Sequence, residues 1–141
     1  MEIQPYLFFD GRCEEAIAFY RDALGAQELM KMRFKDAPAS EDFKTSPDVA
    51  DKIMHASLQI GNSHLLMSDG QAGEQKLSHS GFSLSVTATD VASGEKHFNA
   101  LAQGGKVTMP FQKTFWTEGF GMLVDKFGVP WMVNVQHQAN G

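Results

Sequence analysis

The chain has 141 residues, 43% of them apolar, which is enough for one domain with an adequate core. Its 12 Lys and Arg against 17 Asp and Glu leave a net charge of −5, which disfavours a nucleic-acid backbone or an anionic membrane surface, because both call for a basic stripe. A single cysteine, Cys13, excludes an intramolecular disulfide framework.

The opening MEIQPYLFF lacks the basic start and small-residue cleavage site of a signal peptide, and no apolar run reaches the roughly 20 residues of a membrane helix. The expected location is therefore cytoplasmic, with neither nucleic acid nor membrane as a partner. Ile3 to Phe9 is apolar and aromatic and ends at Asp10-Gly11, a first strand. Arg12 to Leu24 sets Ala16, Phe19, Tyr20, Ala23 and Leu24 at helical spacing, with Gly25 placed to cap the end. Ala26 to Phe34 reads as a second strand. Lys35 to Lys52 is polar, carries two prolines and has no period, so it is a long loop of the kind that often closes over a site. Ile53 to Ile60 alternates, with Met54, Ala56, Leu58 and Ile60 on one face and His55, Ser57 and Gln59 on the other. Gly61-Asn62 turns the chain into a returning strand, Ser63 to Ser68.

After a glycine-rich linker over about 71–80 the pattern restarts. Gly81 to Thr89 is a strand, Asp90 caps a helix from Val91 to about Gln103, and strands follow over Lys106–Lys113, Glu118–Asp125 and Pro130–Gln136. His137 to Gly141 reads as a frayed tail. Each half is thus strand, helix, strand, strand, strand, with module one over about 1–70 and module two over about 81–141. The expected class is α+β, two tandem βαβββ modules in a single domain, with curved mixed sheets around a cavity and the helices outside.

Gln112 to Val135 carries the most distinctive signal. Phe120, Met122 and Val124 alternate with Gly121, Leu123 and Asp125, and Trp131, Val133 and Val135 alternate with Met132 and Asn134, on either side of the turn Asp125-Lys126-Phe127-Gly128. The segment resembles the last two strands of the vicinal-oxygen-chelate superfamily, which holds glyoxalase I, extradiol dioxygenases and the bleomycin- and fosfomycin-resistance proteins. The run TFW…GFG…DKFGVPWMVN is similar, more narrowly, to the PhnB-like (YjdN-like) branch. The resemblance covers nearly the whole chain. It implies a homodimer and a small-molecule ligand bound in a cavity, and it implies no settled reaction.

Metal-dependent members of the superfamily draw four ligands from four strands. Alignment on Phe19-Tyr20, Leu84-Ser85-Val86 and the Asp125…Gly128 turn puts those positions at Pro5, Leu66, Gly81 and Met132. None binds a hard divalent metal through its side chain, so no cofactor is expected, and a divalent metal would have to use non-standard positions such as His55, His64 and His79. Parity along the strands turns His55, Ser57, Gln59, His64, Ser68, Ser83, Ser85, Thr87 and Asn134 toward the cavity, with Phe9, Phe115 and Trp116 as aromatic walls. Such a lining suits a small polar or planar ligand.

His55 is the candidate catalytic base, weighed against a half-buried strand histidine that is simply hydrogen-bonded. Gln59, His64, Ser68, Ser83, Ser85, Lys113, Phe115, Trp116 and Asn134 are the candidate ligand contacts. Trp116 would stack on a planar ring and Lys113 would meet a carboxylate. His79, His97 and His137 read as loop or surface residues. Trp131 has helix-facing parity and belongs to the core, and Asp125 and Gly128 are turn chemistry. The eight methionines suit gap-filling in curved sheets. Cys13 stands near a helix start, where the dipole lowers a thiol pKa, but no base is identifiable beside it, and a packed thiol is the reading.

Three functions stay open. One is glyoxalase-like chemistry on a small metabolite, with or without a metal recruited through His55. Another is ligand sequestration of the bleomycin-resistance type, and the third is a structural dimer with a vestigial cavity. A ubiquinone-pathway methyltransferase, a name sometimes given to similar sequences, is not supported, since no strand leads through a glycine-rich turn into a helix.

Overall fold

The computed structural model describes residues 1–37, 47–70 and 78–136. The elements are β1 (Tyr6–Phe8), α1 (Cys13–Leu24), β2 (Gln27–Arg33), a 3₁₀ turn (Phe34–Asp36), β3 (Ile53–Ile60), β4 (Ser63–Ser68), β5 (Leu84–Ala88), α2 (Val91–Ala102), β6 (Lys106–Gln112), β7 (Phe120–Val124) and β8 (Pro130–Val135). No helix among the described residues is long and apolar enough to cross a membrane. The chain divides into two compact units, Met1–Leu77 and Ser78–Gly141.

Each unit is a βαβββ module with the same strand order. The first sheet runs β1-β4-β3-β2 and the second β5-β8-β7-β6. In both, the first and last strands of the module pair in parallel and the remaining pairs are antiparallel. The α+β class and the tandem modules read from the sequence are therefore the observed architecture. Only element ends differ. β1 is shorter than Ile3–Phe9, and β5 begins at Leu84 rather than Gly81. Of the 35–52 loop, the described ends are knit together by Phe34 N–H to Lys52 O and Lys35 N–H to Ala50 O, whereas 38–46, where a closing role was expected, lies outside the described residues.

Strand parity decides what each module buries. In the first, Leu7, Phe9, Ala56, Leu58, Leu65 and Met67 share a core with Cys13, Ala16, Ile17 and Tyr20 of α1. Gly25, at φ +68°, ends α1 in the left-handed conformation that glycine adopts without a Cβ clash. In the second, Leu123, Trp131, Val133 and Val135 are buried with Phe98 and Leu101 of α2. The strands come so close to α2 that a Cβ on Gly121 would lie 2.6 Å from a Phe98 ring carbon. Asp90 caps α2 by accepting Ser93 N–H at 2.7 Å, as expected.

One buried aspartate braces each module. Asp69 directly follows β4. Its Oδ1 accepts Gly11 N–H at 2.7 Å and Cys13 N–H at 2.8 Å, its Oδ2 accepts Ile53 N–H at 2.8 Å, and its own N–H returns to Ile53 O. One carboxylate thus satisfies an orphan donor of α1 and holds the start of β3, a role with no signal in the local sequence pattern. Asp125 does the turn chemistry expected of it, accepting Phe127 and Val129 N–H through Oδ1, and it also receives the Trp131 indole N–H on Oδ2 at 2.9 Å. Replacing either aspartate with Ala strands three donors, each costing about 1–3 kcal/mol when buried. Asp69→Ala and Asp125→Ala should each lower the unfolding free energy by about 3 kcal/mol or more in urea titrations. A loss smaller than about 1 kcal/mol would show that water replaces the carboxylate.

Candidate functional site

The face of the first sheet opposite α1 presents Tyr6, Phe8, Met30, Met32, His55, Ser57, Gln59, His64 and Leu66. Register sets them in rows: Met32 beside His55, then Met30, Ser57, Leu66 and Tyr6, then Gln27, Gln59 and His64. Tyr6 Oη lies 2.9 Å from His55 Nδ1, and the Tyr6 ring stacks obliquely against both Phe8 and His55. Desolvation raises the Tyr6 hydroxyl above its ordinary pKa, with the Ser68 hydroxyl opposing the rise. It stays a neutral phenol at physiological pH, able to donate to the imidazole or to receive from it. A phenol and an imidazole in contact form a unit that can pass a proton to a third group.

The other expected contacts of this module are partly occupied. Gln59 turns back to donate to Gly61 O at 3.2 Å, and His64 Nδ1 meets Gln4 Nε2 at 3.3 Å. Ser68 is buried, its hydroxyl accepting Gly70 N–H at 2.8 Å. The aromatic wall expected from Phe9 is a correction. Phe9 is buried against Tyr20, and Tyr6 and Phe8 take the open face instead. Residues 6–9 are apolar at both parities, so alternation carried no information there, and the Tyr20 ring decided it.

In the second module the open face carries Ser85, Thr87, Phe120, Met122, Met132 and Asn134. Asn134 lies between Thr87 and Phe120 in register. Its Oδ1 is shielded from solvent and meets no donor among the described residues. Ser83 precedes β5 and is half-buried. Lys113, Phe115 and Trp116 are brought together on the β6–β7 connection, where they line an open cleft of about 480 Å³ with Asp90, Val91, Glu118 and Gln136. The connection is braced by two threonines. Thr114 Oγ1 accepts the N–H groups of Trp116 and Thr117, and Thr117 donates to Val135 O at 2.9 Å. That bracing presents Phe115, which is 98% exposed, and Trp116, which packs edge-on against Phe115 and Phe120. Lys113 reaches Glu118 at 3.8 Å, an exposed pair worth little in itself.

The positions aligned with metal ligands behave as their side chains dictate. Leu66 and Met132 lie on the open faces of β4 and β8, with Pro5 and Gly81 ahead of β1 and β5. Among the described residues, no three His, Cys, Asp or Glu side chains gather where they could hold one ion. The donor set does not fit a hard divalent metal, which needs carboxylate or imidazole ligands in number.

A family model described as 3-demethylubiquinone-9 3-methyltransferase matches residues 1–134. Protein YjdN of Escherichia coli (strain K12) is 42% identical over 98% of this chain and 97% of its own length. The chain belongs to the YjdN family. The crystal structure of protein PA1353 from Pseudomonas aeruginosa superposes with a TM-score of 0.85 at 40% identity, covering 98% of this chain and 99% of that one. At 17% identity and a TM-score of 0.58, a glyoxalase/bleomycin resistance protein/dioxygenase family enzyme from Burkholderia phytofirmans PsJN shares the fold over 94% of each chain. The YjdN-like family read from the hairpin is thus the family found, and the glyoxalase/bleomycin-resistance fold read with it is the fold shared. Methyltransfer stands in the label of the family model and in the name of a PhnB protein from Bacillus cereus, 25% identical with a TM-score of 0.80 over 96% of this chain and 100% of that one. Neither β1–α1 nor β5–α2 is joined by the glycine-rich turn of a nucleotide-binding module.

Cys13 resolves as a packed thiol. It is fully buried, and desolvation, reinforced by the Asp69 and Glu14 carboxylates and opposed by Lys31, pushes its pKa far upward. Burial outweighs the dipole of α1. Since the folded state holds this proton more tightly than the unfolded chain, its contribution to stability is complete below the ordinary thiol pKa of about 8.5 and declines as pH rises past it. Cys13→Ala should flatten the fall of the urea midpoint in alkaline buffer. Iodoacetamide should label the wild-type thiol only under unfolding conditions; rapid labelling of the native protein would contradict the packing described.

Proposed function

We propose that this protein binds a small planar or polar metabolite, without the divalent-metal site used by metal-dependent members of its superfamily. The observation that carries the reading is the cleft of about 480 Å³ on the β6–β7 connection, where Phe115 and Trp116 stand beside Lys113. Its volume lies in the range of small-molecule sites, and stacking on rings while meeting a cation suits a flat ligand with an acidic group. Asn134 stands outside that cleft, on the open face of the second sheet, where its donorless Oδ1 costs about 1–3 kcal/mol and would be satisfied by a ligand N–H or O–H reaching that face. By the habits of the fold family the protein is a homodimer. We propose the cytoplasm as its compartment, on its acidic composition and single cysteine.

The Tyr6–His55 pair favours a second reading in which the open face of the first sheet takes a metabolite of its own and transforms it. The imidazole would take a proton from the ligand while the Tyr6 hydroxyl holds its orientation. Ligand sequestration of the bleomycin-resistance type needs neither group.

A metabolite library read by melting temperature and Trp116 fluorescence, in a Trp131→Phe background, tests the first reading. Trp116→Ala should then remove about 1 kcal/mol of affinity for any hit, the size of an aromatic contact. A library that moves neither signal would sink the proposal. Recovery of the ligand unchanged separates capture from catalysis, and turnover that survives His55→Ala would remove the histidine from the second reading. Asn134→Leu should leave stability equal or improved by about 1 kcal/mol while weakening binding. Light scattering on a sizing column should give twice the chain mass at micromolar concentration.

A further inference from the structure

The methionines do not fill the core as their scatter along the chain suggests. Met67 is fully buried, whereas Met30, Met32, Met109, Met122 and Met132 stand on open sheet faces. Three of them form one row across three neighbouring strands of the second sheet, since Met109 is the register partner of Met122, and Met122 of Met132. Their face is the one opposite α2, because Leu123, Trp131 and Val133, of the alternate parity, are buried. Met109 is 40% exposed and the other two are half-buried, so none of the three is a fully packed core side chain. Register partners have Cβ atoms about 4.5–5.5 Å apart, and a thioether sulfur lies two bonds beyond Cβ. The outer two sulfurs can therefore lean over the middle one and meet there.

We propose that Met109, Met122 and Met132 form a three-thioether site for a soft monovalent ion, Cu(I). A thioether is neutral, polarisable and carries no proton to displace, so it binds soft ions and leaves hard divalent ones to oxygen and nitrogen donors. The neighbouring rows reinforce that choice. Lys106, Val124 and Pro130 flank the methionines on one side and Gln112, Phe120 and Asn134 on the other, and Ser85 is the register partner of Met132. No carboxylate or imidazole stands among these neighbours and Lys106 adds a positive charge, so a second charge on the ion would go uncompensated and Cu(II) is disfavoured. The site uses none of the residues of the β6–β7 cleft and stands independently of the ligand proposed there.

The test is an anaerobic titration of the full chain with Cu(I) in competition with bicinchoninate. One equivalent should be withdrawn from the chelator, with a sulfur-only first shell in X-ray absorption. Met122→Leu and Met132→Leu conserve volume and should fold. Each should weaken Cu(I) binding by about tenfold or more, given that losing even an outer partner of a metal ligand costs about 10–100-fold. Should either fail to fold, Met109→Leu on the exposed edge strand carries the same test. Cys13→Ser and His55→Ala should bind as wild type. Failure to withdraw copper would overturn the site. So would affinity lost with Cys13 or His55 and kept in the methionine variants.

Discussion

Each module closes on one buried carboxylate, and the rest of the structure depends on that constraint. A βαβββ module must hold a helix start, a strand start and a strand end together although they are far apart in the chain. Asp69 does this in the first module by accepting three N–H groups from Gly11, Cys13 and Ile53. Asp125 does a more local job in the second, fastening the β7–β8 turn through Phe127 and Val129 N–H and tying it to the indole of Trp131. Buried carboxylates are costly unless their oxygens are filled, and here backbone and indole donors fill them. Once these clasps are set, one face of each sheet is committed to its helix and the other is left for chemistry.

What that second face offers follows from the side chains at alternate positions. The first sheet turns a phenol and an imidazole to each other on an otherwise apolar and neutral-polar surface. The second offers thioethers, small hydroxyls and one unpaired amide oxygen, with an aromatic connection held up by Thr114 and Thr117. Carboxylates are absent from the strand faces described above; the acidic residues near the cleft, Asp90 and Glu118, are engaged with Ser93 and Lys113. Backbone donation by Ser93 keeps the Asp90 carboxylate below its ordinary pKa, so it remains an ionised cap.

The relation to the metal-dependent proteins of this fold is one of shared scaffold and different side chains. Leu66 and Met132 lie on the open faces of the last strands of the two modules, where the alignment with metal-dependent members expects ligands. Neither side chain is a hard donor. Fold alone does not carry an activity, and within this family the methyltransferase label of the matching model describes no feature of these sheets.

Much of this was legible in the sequence, because strand period and turn residues are local. β3, with His55 opposite Ala56 in parity, and the hairpin at Gly61-Asn62 could be read residue by residue. So could the N-cap at Asp90 and the burial of Trp131. Local pattern failed where both parities look alike, as at Tyr6–Phe9, and only packing against Tyr20 sent Phe9 inward. It also failed wherever the partner is remote. Asp69 meets donors 56 and 58 positions away, Tyr6 meets His55 across 49, and the three methionines align only once β6, β7 and β8 are in register. The amino-acid order by itself determined the modules, their faces and the family. The tertiary structure decided which of those face residues touch, because contact across a sheet is set by register and clasps between distant segments, and periodicity along one strand contains neither.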